Sequence, residues 1–585
     1  MTFSSTGDRA TRLLFIAFAI LLVNSSYLAA YASPTLFYFG NVALHILLGG
    51  AAAVAFAAYW VKRFKTFSWP LRAASSLLLA GAAFGAYITK VGATRPHRWA
   101  LATHIALCAA GAVLLLGVLY RAGRVSTTRA RQVVTVAALL FIFPFATAAY
   151  DRYAGADRYK IVNPAAVPLM MEEEGAGPSM PFFPSSAETN VGGTIPATFF
   201  MTSKDCARCH KEIYEQWNSS AHHFASFNNQ WYRRSIEYMQ DVVGTQPSKW
   251  CAGCHDHAVF FNGRFDRPIK EQVETPEAQN GLGCTSCHSV VHVKSTMGQA
   301  DFTIEYPPLH DLAVSENPWM QWAHDKFLKL DPEPHRQTFL KSFHTEQTPE
   351  FCSSCHKVHL DIPVNSYRWF RGFNDYDNWQ ASGVSGQGAR SFYYPAKPSK
   401  CADCHMPMVA ADDPASKDGR VHSHRFPGAN TALPYVNGDS EQLATVQNFL
   451  RDGQISVDIF GLSRAAAAAP QEVKKNAGAE EPQLSSTFAV GEESMNFGAQ
   501  QSVIAPPVEV IAPLDHVDAV VRRGESVRLD VVVRTRKVGH FFPGGTVDAF
   551  DVWVELEAVD DKGRVLLHSG AVGDAGKGPV EPGAH

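Results

Sequence analysis

Ten of the chain's eleven cysteines fall into five copies of Cys-x-x-Cys-His. The copies are Cys206/Cys209/His210, Cys251/Cys254/His255, Cys284/Cys287/His288, Cys352/Cys355/His356 and Cys401/Cys404/His405. Two thiols at this spacing can add to the two vinyl groups of a haem, and the adjacent imidazole can take the iron's proximal face. A zinc ribbon would not place His directly after the second Cys in every copy, and a redox dithiol protein has one such pair. No cysteine is left for structural disulfides, since the eleventh, Cys108, lies in an apolar segment and reads as a small buried residue. Five covalently attached c-type haems are therefore expected. Attachment outside the cytoplasm then fixes the compartment of this part of the chain.

Each iron needs a sixth ligand unless it binds substrate. Fifteen further histidines follow residue 200, enough for bis-histidine ligation throughout, which holds reduction potentials low. The distal candidates are His222, His292, His335, His344 and His424. His540, in a second His-x-Phe-Pro-Gly stretch, reads either as another distal ligand or as a loop histidine. His257, His292 and His359 follow their own proximal histidine too closely to reach the opposite face of the same haem.

The chain has 585 residues, too many for one ordinary domain. A net charge of -3 gives no argument for nucleic acid. Apolar residues concentrate before residue 150, in stretches near 13–31, 38–61, 71–89, 100–120 and 132–149, each close to the ~20 residues that cross a bilayer. Lys and Arg cluster at 9–12, 62–72 and 121–131, which predicts those ends on the cytoplasmic side. Lys90, Arg95 and Arg98 form a mild exception. Five spans place the remainder outside, in agreement with haem attachment. The first stretch reads as an uncleaved anchor; cleavage at Ala30-Tyr31-Ala32 would leave four spans with the same outcome. His45 and His104 fall inside the second and fourth spans, with small residues after each. They read as ligands of a haem b, as the lining of a quinol site, or as interhelical hydrogen-bonding groups.

The elements expected to position these groups form a multi-domain chain. Residues 1–150 make an α-helical transmembrane bundle and 151–200 an extended Pro/Gly-rich tether with a solvated Glu172-Glu173-Glu174 run. Residues 201–430 make a haem-cored cytochrome domain of short helices and irregular chain with few strands. Residues 431–585 make a β-sandwich-like domain with a low-complexity insertion at 463–505. Strands are expected at 455–461, 508–513, 526–534, 548–558 and 564–569, with a hairpin turn at Asp560–Gly563. So few strands before a Gly/Pro-rich end read as an incomplete sandwich.

The run Cys-x-x-Cys-His-x-x-x-Tyr-x-x-Trp-x-x-Ser-x-His at 206–222 resembles the multihaem cytochromes related to the nitrifiers' tetrahaem cytochrome and to hydroxylamine oxidoreductase. So do Phe351–His356 and the Cys401–Met406 segment followed by His424-Arg425-Phe426-Pro427-Gly428. The resemblance covers roughly residues 200–430. It implies stacked, mostly bis-histidine haems and electron transfer, with His222 and His424 at its distal positions. Catalysis on hydroxylamine, nitrite or a related nitrogen compound would need one open haem; no Cys-x-x-Cys-Lys variant marks one here. The expected function is electron transfer at the inner membrane between quinone, or a membrane donor, and a periplasmic carrier. The alternatives are an oxidoreductase with one open haem and a haem-carrying subunit of a larger respiratory complex.

Overall fold

The computed structural model describes residues 5–121, 128–155, 157–307, 309–360, 364, 369–388, 394–464, 509–545 and 552–573. Most of the insertion expected at 463–505 lies outside them. Five helices open the chain: α1 (Ser5–Ala30), α2 (Leu36–Arg63), α3 (Trp69–Val91), α4 (Arg98–Arg121) and α5 (Thr128–Ala154). Four of these stretches, Thr11–Ala30, Leu36–Thr66, Trp69–Val91 and Arg95–Val118, are long and apolar enough to cross a membrane. The fifth expected span falls on α5, which has Pro144 in its interior. Large apolar side chains such as Leu44, Leu47, Val61 and Leu114 are exposed and lie off the interior cavity, as a lipid-facing surface requires. Trp69 and Trp99 stand exposed at helix starts, where indole rings favour a membrane–water interface.

The bundle is built from close pairs. α3 packs along α4, and α1 packs against α2 and α5. Glycine allows the α3–α4 approach: a Cβ on Gly81 would lie 2.5 Å from the Cys108 sulfur, and one on Gly111 2.8 Å from Leu78. Cys108 is thus a packing residue.

One end of the bundle meets the haem-motif section. Tyr38 donates a 2.6 Å hydrogen bond to Asp331, and Lys326 donates to the Thr89 carbonyl at 3.2 Å. Arg95, anomalous by loop charge, donates to the Ala415 carbonyl at 3.1 Å. The basic cluster Lys62, Arg63 and Lys65 sits at the other end of α2.

Four motifs lie on short helices, as expected, and the first begins at the last residue of one and continues in a turn. The helices are Ser203–Cys206, Thr245–His255, Cys284–His288, Pro349–His356 and Cys401–His405. Strands here are few, mostly two to six residues long, in small sheets such as the one joining Glu188–Thr189, Val290–Val293 and Phe302–Ile304. The protein nevertheless has a core of its own. Phe182, Phe199, Phe200, Phe260, Phe261, Phe265, Phe302 and Ile304 pack in one buried cluster, together with Cys251 and Cys254.

The stretch read as a tether lies against this section. Phe182, Ile195 and Phe199 join the core, Val162 donates its backbone N–H to Lys294, and Glu174 is buried against His359. Pro and Gly signalled irregular backbone there, which is compatible with packing. C-terminal strands form where β-branched runs predicted them. Ile455–Arg464 pairs with Val527–Thr535 and with Val510–Ile511, and Leu556–Val559 pairs with Val565–Ser569 across the expected turn, closed by Gly563 N–H to the Asp560 carbonyl. Among the described residues these are two separate small sheets.

Candidate haem sites

Four of the five motif histidines have Nδ1 hydrogen-bonded, and the fifth has a carboxylate nearby. His210 bonds Asp413 at 2.9 Å, His255 the Ala225 carbonyl at 2.8 Å, His288 the Phe339 carbonyl at 2.9 Å and His405 the Pro427 carbonyl at 2.7 Å. His356 lies 3.6 Å from Asp375. A ring N–H held by a carboxylate or carbonyl leaves Nε2 with its lone pair, the orientation a metal-ligating imidazole needs.

Four of the five face a second histidine. Ring centroids are 6.3 Å apart for His210 and His335, 6.2 Å for His288 and His424, 6.3 Å for His356 and His222, and 6.2 Å for His405 and His540. Metal–imidazole bonds are about 2 Å, so with each ring's half-width added, two imidazoles sharing one metal stand about 6 Å apart. Burial pushes His335 and His222 down to about 3, and His424 down to about 4, so these rings are neutral, as metal ligands must be. The thiol pairs, free Nε2 positions and facing rings together fit a haem at each of these four motifs.

The other candidates stand elsewhere. His344 lies 5.1 Å from His288, but its Nδ1 accepts from Lys341 and its Nε2 bonds the Cys287 carbonyl at 3.1 Å. With both nitrogens occupied it packs beside His288, and His424 takes the facing position. His292 bonds the Lys160 carbonyl and stacks edge-on with Tyr159, away from the motif rings. His257 bonds the Gly253 carbonyl, and His359 bonds Glu174.

The second motif differs. Among the described residues no histidine ring faces His255 at the spacing of the other pairs. Its stacked neighbour is Tyr232, at 4.4 Å and 13°. That is too close for an iron between the rings, so Tyr232 lies beside the imidazole. Tyr232 and Ser226 both donate to Asp256, which follows His255.

Two loops carry the arrangement. In the first His-x-Phe-Pro-Gly loop, His424 faces His288, Phe426 packs edge-on against His222 at 4.3 Å, and the Pro427 carbonyl holds His405. Phe426 adopts a φ of 46°, a strained choice for a bulky side chain that aims three groups at three motifs. In the second loop, His540 faces His405 while Asp375 lies 3.7 Å away, between His540 and His356. A repeated pentapeptide signalled this pairing; nothing local signalled which motif it would meet.

Thiol contacts give the spatial order. Cys206 meets Cys284, Cys254 meets Cys355, and Cys352 meets Cys401, while Cys287 lies near Cys355. The motifs therefore run first, third, fourth, fifth, with the second attached at the fourth. The first lies at the helical bundle. Arg95 bonds the carbonyl of Ala415, two residues from the Asp413 that holds His210, and the helix carrying His335 begins just after the Tyr38–Asp331 bond. A cavity of about 3670 Å³ is lined by α1–α5 and by the first, third, fourth and fifth motifs; Cys251, Cys254 and His255 are not on it.

A family model described as cytochrome c554 and c-prime matches residues 205–289, the stretch that holds the first three motifs. No curated protein and no solved structure matches the chain. Similarity to that family, in a section where paired thiols and facing imidazoles recur, supports reading the chain as a multihaem c-type cytochrome with covalently bound haem.

Proposed function

We propose that the chain is a membrane-anchored pentahaem cytochrome that carries electrons between the quinone pool, or a membrane partner, and a periplasmic acceptor. The observation that carries this reading is the set of four histidine pairs at 6.2–6.3 Å, ordered from the helical bundle outward along one cavity. Haem bound at these motifs supplies one-electron iron chemistry. The chain's own residues do the rest. The cysteine pairs would tether each haem, and His335, His424, His222 and His540, facing the histidines of the first, third, fourth and fifth motifs, would help to hold it. Asp413 and Asp375 orient His210 and His356 and place negative charge beside them, which favours the oxidised, more positive centre. Inner-membrane placement with the haem section on the periplasmic side follows from the basic clusters at the bundle's far end. The test is a mass measurement for five covalent haems, combined with quinol-analogue reduction of the full-length protein. A protein with five haems that no quinol analogue reduces would remove the quinone route.

A second reading has one observation in its favour. Among the described residues no histidine faces His255, so the second motif would hold an iron open to a small ligand. An oxidoreductase acting there on hydroxylamine, nitrite or a related nitrogen compound would show turnover that depends on Cys251 and Cys254. Turnover assays on the wild type and on a Cys251→Ala/Cys254→Ala variant decide it.

A further inference from the structure

We propose that the helical bundle holds one non-covalent haem b between α2 and α4, ligated by His45 and His104. The two ring centroids stand 6.2 Å apart with planes at 90°. The haem section repeats this separation four times, at 6.2–6.3 Å, and its His222–His356 pair has a similar angle of 82°. The two regions share no motif, so the coincidence belongs to geometry.

The anchoring is also the same. His45 Nδ1 lies 3.0 Å from the Asn24 side-chain oxygen, and His104 Nδ1 donates to the Gly81 carbonyl at 2.7 Å. Asn24 is itself fixed, its amide donating to the Asn41 backbone and side-chain oxygens at 3.1 and 3.0 Å. That assigns the Asn24 oxygen as acceptor and His45 Nδ1–H as donor. Each ring is left with Nε2 as its ligating atom, and neither Nε2 has a hydrogen-bond partner among the described residues. Buried polar side chains in an apolar bundle are costly unless they serve a site. Here buried Asn24 joins the partly buried Asn41 and His45 in one chain that ends at an unshared lone pair.

Space for a flat group lies between the helix pairs. α3–α4 and α1–α2 pack tightly, and both histidines turn toward the gap. Gly85 clears the ring: a Cβ there would come 3.1 Å from His104. Gly49 and Gly50, about one turn after His45, line the same cavity, with Ala109, Ala112 and Val113 opposite. By helix rise His45 lies about 13 Å and His104 about 9 Å from the start of its helix, at the end nearest the first motif. Each histidine makes one interhelical hydrogen bond through Nδ1, His45 to Asn24 on α1 and His104 to Gly81 on α3, which leaves the facing of the two rings at 6.2 Å still to be accounted for.

The site's role rests on the electron-transfer reading above; its existence does not. Full-length protein in detergent is extracted with acidified acetone, which removes haem b and leaves thioether-bound haem c on the polypeptide. The expected result is one extractable haem per chain with a b-type pyridine haemochrome. His45→Ala and His104→Ala should lose all of it while covalent haem content stays unchanged, and His104→Met should retain it with an altered spectrum. Wild-type protein with its full covalent haem but no extractable haem overturns the proposal, as does quinone recovered in its place. Missing covalent haem would count against the five-haem reading instead.

Discussion

The second motif and the other four share five-residue chemistry and differ in almost everything around it. Cys251–His255 ends an eleven-residue helix, rests on the Phe-rich core and stacks Tyr232 against its imidazole. The first, third, fourth and fifth lie on shorter helices beside a common cavity, each with a histidine across from it. The motif therefore specifies attachment and one axial ligand. The opposite face is a separate decision, made by loops from elsewhere in the chain.

The strongest way to break this comparison is to delete attachment sites in turn. Cys206→Ala/Cys209→Ala should abolish quinol-supported reduction of the remaining haems, because the first motif is the one at the bundle. Cys251→Ala/Cys254→Ala should remove one haem and leave that reduction near wild type. Stopped-flow reduction monitored in the visible bands checks both, and equal losses would refute a branch position for the second motif. Next in size, low-temperature electron paramagnetic resonance should find one high-spin centre in the wild type and two in His335→Ala, since that change makes the first motif resemble the second. A wild-type spectrum with no high-spin centre would mean that His255 gains a partner not seen here.

A smaller effect separates the groups behind the imidazoles. His210 leans on a carboxylate and His255 on a carbonyl. Asp413→Asn should raise the potential of the first haem by about 59 mV, a tenfold change in a one-electron equilibrium. Potentiometric titration reads this directly, and the second motif's centre should not move. Smallest is Tyr38→Phe, which deprives Asp331 of its 2.6 Å bond at the junction with the bundle. About 1 kcal/mol is expected, read as a lower denaturant midpoint for the first haem's band while that of the second is unchanged.

Much of the candidate site was legible beforehand. The thiols, proximal histidines and apolar spans are runs of adjacent residues, and the short motif helices and C-terminal strands follow from local pattern. His222, His335 and His424 were candidates on supply and resemblance, and each faces a motif ring. His344 was an equally good candidate by position, and only the occupation of both its nitrogens sets it aside. The packing of residues 160–200 onto the core was not legible, because Pro- and Gly-rich composition describes backbone irregularity and says nothing about what lies alongside.

Local chemistry is what the sequence by itself determined: five Cys-x-x-Cys-His motifs, an apolar N-terminal section, and a surplus of imidazoles. Which histidine faces which, and in what order the motifs stand, only the tertiary structure decided. His210 meets His335, His356 meets the earlier His222, and His405 meets His540 across the C-terminal section. Facing rings are joined through space by loops whose strain and hydrogen bonds aim them, and no periodicity along a chain records a contact between residues so far apart in it.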